Sequence, residues 1–84
     1  MNGLLNGKRI VVTGAVRGLG YSFAAAIAAA GAQVVMCDIL ADELAASGAA
    51  LREQGAQVEM QTIDLASPDS IRSAFEKIAA GGGI

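Results

Sequence analysis

Gly14, Gly18 and Gly20, in the run Thr13-Gly14-Ala15-Val16-Arg17-Gly18-Leu19-Gly20, are the residues whose type and spacing point most directly to chemistry. They follow an apolar stretch, Ile10-Val11-Val12, and precede an alanine-rich one, so they sit where a strand turns into a helix. Glycines at such a turn let the backbone come close to a pyrophosphate. Gly14 takes the angles of a tight turn, Gly18 leaves no Cβ between main chain and ligand, and Gly20 lets the new helix pack closely. The unpaired N–H groups at the helix start then face the phosphates, helped by the helix dipole. A tight turn with no ligand has the same spacing, so the residues further along must decide between the two.

The next strand supplies that decision. Gln33-Val34-Val35-Met36-Cys37 reads as a buried strand, and Asp38 closes it. An acid about 20 residues beyond a glycine turn is where a dinucleotide site needs an acceptor for the ribose hydroxyls of its adenosine. Asp38 also suits the N-cap of the following helix, and both roles can hold together.

These residues need an alternating frame to hold them. The pattern predicts strands at 8–13, 33–38 and 57–63 and helices at about 18–30, 40–54 and 68–80. Leu19, Phe23 and Ile27 are expected to form the inward stripe of the first helix, with alanines allowing close approach and Gly31 ending it. Leu40, Leu44 and Leu51 mark the buried face of the second helix, where Gly48 reads as a weak point and Gly55 as the stop. Ser67-Pro68-Asp69 gives the third helix its cap, first-turn proline and first-turn acid, and Ile71, Phe75 and Ile78 should face inward.

Right-handed β-α-β-α-β crossovers order the strands 3-2-1, with the first two helices on one face and the third crossing to the other. The fold class is therefore α/β, a Rossmann-type β-α-β-α-β-α partial domain. Its first strand should present an unpaired edge that recruits partners.

At this point the sequence resembles the amino-terminal part of a short-chain dehydrogenase/reductase. The resemblance rests on Thr-Gly-x-x-x-Gly-x-Gly at 13–20, on Asp38 after the second strand and on Asp64-Leu65 after the third, and it covers residues 6–84. It implies a nicotinamide cofactor and hydride transfer between that cofactor and an alcohol or carbonyl substrate. Gly14, Gly18, Leu19 and Gly20 would approach the phosphates, with Arg17 beside the same groove. Asp38 and Ile39 would meet the ribose end, and Asp64 and Leu65 the adenine. NAD is expected over NADP, because Asp38 meets a 2′-phosphate as a like charge while Ile39 offers no cation, although Arg17 could reach a phosphate. Val16 stands where many members carry a small polar residue. A homo-oligomer is implied for the complete enzyme.

The family's catalytic Tyr-x-x-x-Lys pair, its preceding serine and its Asn-Ala-Gly segment do not occur here. Tyr21 has Ala25 four positions on, so no catalytic residue is assigned. Residues 1–84 are expected to be the amino-terminal part of a single dinucleotide-binding domain, cut before its fourth strand and inactive alone. Two alternatives share the outline. One is part of an S-adenosylmethionine-dependent methyltransferase, whose glycine turn is generally tighter and opens near an acid; the other is a non-catalytic nucleotide-binding or assembly module.

Composition narrows the classes further. The chain is 54% hydrophobic and 17% charged with a net charge of −2, and its cations form no cluster longer than Lys8-Arg9, so no nucleic-acid surface is expected. Histidine is absent and cysteine occurs once, which removes a histidine-based triad and a multi-cysteine zinc site. Cys37, inside an apolar strand, reads as a small hydrophobe, and the lack of an internal disulfide fits a cytoplasmic location. The uncharged run from Gly18 to Cys37 is interrupted by glycine, serine and glutamine and is rich in alanine, so neither a membrane span nor a signal peptide is expected.

Overall fold

A computed structural model of the chain describes residues 4–82. Three strands and three helices alternate along it: β1 (Arg9–Thr13), α1 (Gly18–Ala29), β2 (Gln33–Asp38), α2 (Ala41–Glu53), β3 (Gln57–Thr62) and α3 (Pro68–Ala80). The strands form one parallel sheet in the order β1-β2-β3, the neighbour arrangement expected from right-handed crossovers. Arg9 pairs with Gln33 and Thr13 with Cys37, while Asp38 pairs with Thr62, so the strands end together.

Burial explains why β2 reads as a continuous apolar run. Val34, Val35, Met36 and Cys37 are all at most 1% exposed, because helices cover both faces of the central strand. Val34 and Met36 join Ala15, Ala24, Leu44, Leu51 and Val58 in one core, under α1 and α2. Val35 and Cys37 join Ile63, Ala74 and Ile78 in the other, under α3. β1 has a strand on one side only, so the expected open edge is present among the described residues.

The faces of the helices differ from the sequence pattern in three places. In α1, Leu19 is 70% and Phe23 56% exposed, while Ala24 is fully buried and Ile27 and Ala28 pack beside it. The small residues turn inward because a Cβ on Gly20 would collide with the Gly14 carbonyl oxygen, which fixes how near the helix lies. Leu40 precedes α2 as its N-cap and is 38% exposed, leaving Leu44 and Leu51 as the buried pair. In α3, Phe75 is 38% exposed, and Ala74 is buried alongside Ile78 with Ile71 packed against them. Gly48 is a close approach, since a Cβ there would meet the Met60 side chain of β3.

Helix α3 starts as expected. Ser67 Oγ accepts the Ser70 N–H, Pro68 occupies the first turn, and Asp69 faces the positive end of the dipole. Its other end is held by Arg9, 8% exposed, whose Nη1 donates to the carbonyls of Ile78 at 2.7 Å and Gly82 at 2.9 Å. Arg9 also reaches across β2 to Glu59, with Nε at 3.0 Å and Nη2 at 2.6 Å from Oε2.

Candidate functional site

The chain turns that follow β1, β2 and β3 enclose a groove of about 270 Å³, lined by Gly14, Asp38, Ile39, Ile63, Asp64, Leu65 and Ala66. Backbone bonds stitch its floor, Ala15 N–H to Cys37 O at 3.2 Å and Ile63 N–H to Asp38 O at 3.0 Å. Ligands of open α/β sheets bind at this end, outside the carboxyl ends of the strands. The groove falls just below the usual ~300–1,000 Å³ of small-molecule pockets.

Both groove carboxylates are oriented by their own backbone. Asp38 Oδ1 accepts the Leu40 N–H at 3.1 Å, and Asp64 Oδ1 accepts the Ala66 N–H at 2.9 Å, each a side-chain turn spanning two residues. Asp38 therefore supports the start of α2 without being its N-cap, a position taken by Leu40. The Asp64 amide donates to Ser70 Oγ at 2.9 Å, which ties this turn to the start of α3. Among the described residues, each carboxylate keeps Oδ2 without a protein donor and so open to an outside hydroxyl or amide.

The glycine turn borders the groove at Gly14. Gly14 and Gly18 have φ of 65° and 52°, a region that side chains other than glycine seldom enter, and a Cβ built on either meets no protein atom within 4 Å. That open space over a bare backbone is the cradle expected for a phosphate. Arg17 is the N-cap of α1 in an extended conformation, its side chain makes no capping bond, and the first turn holds no acid. The first amides of α1 are thus left to an external acceptor, and the helix dipole favours an anionic one.

Arg17 itself points elsewhere. It does not line the groove but forms a forked pair with Glu43 of α2, Nε at 3.0 Å from Oε1 and Nη2 at 2.7 Å from both oxygens. Glu43, by hydrogen bond and then by charge, raises the Arg17 pKa, and the charge of Asp38 adds to the rise. Ser47, one turn further along α2, donates from Oγ to the Val16 carbonyl at 3.4 Å.

The sequence-predicted residues therefore fall into three groups. Gly14, Asp38, Ile39, Asp64 and Leu65 meet in the groove, Gly18, Leu19 and Gly20 form the adjoining first turn of α1, and Arg17 is held against α2. Tyr21 packs on the α1/α2 core. The sequence reading missed Ile63 and Ala66 in the lining, although each neighbours a predicted residue, and it missed Glu43 and Ser47 behind the turn. Their contacts join positions far apart in the chain, and no spacing rule announces them. Among the described residues, no cluster of three metal-ligating acids or thiols occurs and no helix is long and apolar enough to cross a membrane.

The short chain dehydrogenase family model matches residues 8–83. A short chain dehydrogenase/reductase of Colletotrichum higginsianum is 41% identical over 89% of this chain, which spans 28% of that relative's length. A short chain dehydrogenase/reductase of Burkholderia phymatum, solved in complex with NAD, superposes with a TM-score of 0.82 at 30% identity, over 88% of this chain and 26% of that one. A metagenomic short-chain oxidoreductase solved in complex with NADP superposes with a TM-score of 0.86 at 31% identity, over 92% of this chain and 35% of that one.

Proposed function

The chain belongs to the short chain dehydrogenase family, and on that premise we propose that it forms the cofactor-binding part of an NAD-dependent oxidoreductase acting on an alcohol or carbonyl compound. The observation that carries this reading is the meeting of Gly14, Asp38 and Asp64 in one groove beside an uncapped helix start. Its neighbours bind both forms of the cofactor, NAD in the Burkholderia phymatum protein and NADP in the metagenomic one. The family match over residues 8–83 favours this reading over a methyltransferase.

When bound, the nicotinamide ring supplies the hydride chemistry. This chain's part is to hold the far end of the molecule. The amides of Gly18, Leu19 and Gly20 would donate to the pyrophosphate, and the bare α-carbons of Gly14 and Gly18 would let it approach the backbone. Asp38 would accept from the adenosine ribose hydroxyls, next to Ile39, while Asp64 and Leu65 would border the adenine. A 2′-phosphate would enter beside Asp38 as a like charge, so we assign NAD as the preferred cofactor. The preference should amount to about one to two decades, or ~1–3 kcal/mol.

Isothermal titration of the full chain with NAD tests this, paired with Gly18→Asn. Asparagine is among the side chains best tolerated at positive φ, so it adds atoms to the cradle with limited backbone strain. NAD affinity should fall about tenfold, ~1.4 kcal/mol. Unchanged affinity would remove the phosphate role from this turn.

A further inference from the structure

The Arg17–Glu43 pair raises a question that the cofactor reading leaves open, namely why an arginine in a phosphate turn is directed away from the groove. Glu43 and Ser47 lie four residues apart, on one face of α2. Together they grip consecutive residues of the glycine turn, Glu43 through the Arg17 guanidinium and Ser47 through the Val16 carbonyl. The guanidinium presents both Nε and Nη2 to Glu43, which occupies one of the two forked faces an arginine can turn to a phosphate and orients the group toward α2.

We propose that Glu43 is a specificity-determining residue, which withholds Arg17 from a 2′-phosphate and so makes the site select a cofactor with a free 2′-hydroxyl. The inference rests on the nicotinamide-cofactor reading above. Asp38 at the groove and Glu43 on α2 bring two negative charges to the single positive charge of Arg17, so these three side chains carry a net −1. A 2′-phosphate brings about −1.5 to −2 more. With Glu43 neutralised, the guanidinium is free to swing to that phosphate, and the net charge of these three side chains falls to zero. The pair is open to solvent, with Arg17 70% and Glu43 46% exposed, so it is weak enough to be released by substitution without unfolding the chain.

The test is a calorimetric titration of the full chain, native and substituted, with NAD and separately with NADP. Glu43→Gln should tighten NADP binding about three- to tenfold while NAD affinity moves less than about twofold, and Glu43→Asp should keep most of the native ratio. In an Arg17→Gln background, Glu43→Gln should give no such gain. Arg17→Gln alone should leave the NADP to NAD ratio within about twofold of native, because the guanidinium is already engaged. This last variant keeps the proposal testable if Glu43→Gln lowers stability. An unchanged ratio in Glu43→Gln, a gain that survives without Arg17, or a fivefold loss of NADP binding in Arg17→Gln would overturn the proposal. Native chain that binds neither cofactor would overturn the cofactor reading, and the proposal with it. NAD binding with an unresponsive ratio would overturn the proposal alone.

Discussion

Asp38 and Cys37 are neighbours in the chain with opposite duties. Asp38 stands at the groove with one oxygen held by the Leu40 amide, so it can accept from a ribose without rearranging. Asp38→Ala should therefore cut the preference for NAD over NADP about tenfold or more, by losing a charged hydrogen bond to one and a repulsion toward the other. Parallel titrations of native and variant chain with both cofactors check it. Cys37 is fully buried in the α3-side core, and burial pushes its thiol pKa up. The neutral thiol is then favoured by the folded state. Its contribution is fully present below the unfolded thiol pKa of about 8.5, and it declines as pH rises toward the folded value. The stability gap between native chain and Cys37→Ala, followed by urea denaturation, should be constant below about pH 8 and narrow above it. A gap that widens at alkaline pH would contradict this placement.

Between elements, the contact with most at stake is Arg9, which ties β1 to β3 and to the end of α3. Arg9→Met keeps the apolar stem but removes a charged donor from the Ile78 and Gly82 carbonyls, the first of which keeps the Gly81 amide, and takes the cation from the Glu59 carboxylate. Loss of about 1–3 kcal/mol in urea denaturation is expected, with faster amide exchange at the end of α3. The order of elements, the glycine stops after α1 and α2 and the cap of α3 were legible in the sequence because they depend on local chemistry. Ser67-Pro68-Asp69 can scarcely be anything but a helix start, and the run Val34 to Cys37 can only be a strand covered on both faces. The rotation of α1 was not legible. A Leu19, Phe23, Ile27 stripe is the more hydrophobic choice, but the Gly20 contact with the Gly14 carbonyl outweighs it and turns alanine inward. The close approach at Gly48 was hidden for the same reason, since helix propensity knows nothing of Met60. In the groove, Gly14 and Asp38 were readable from spacing, whereas Ile39, Asp64 and Leu65 were reached only through the family resemblance. Glu43 was reached by neither, because its pairing with Arg17 exists only once α2 has packed beside the turn.

At the scale of the molecule, the sheet is open along β1, and Leu19 and Phe23 lie exposed on α1, the helix that follows it. An uncovered edge with apolar side chains nearby favours association, so the chain should self-associate with rising concentration in sedimentation velocity. A monodisperse monomer throughout would contradict this. The sequence holds no Tyr-x-x-x-Lys pair, and Tyr21 is packed on the core, so the chain should show no dehydrogenase turnover with NAD across a panel of alcohols and ketones. What it should do is bind. The most direct test of that claim is a titration of isotopically labelled chain with NAD, followed by the amide resonances in two-dimensional NMR. Saturable shifts concentrated at Gly14, Gly18 to Gly20, Asp38, Ile39 and Asp64 to Ala66 are the expected result, with α3 beyond its first turn unmoved. Absence of any shift at millimolar NAD, or shifts centred away from the ends of β1, β2 and β3, would contradict it.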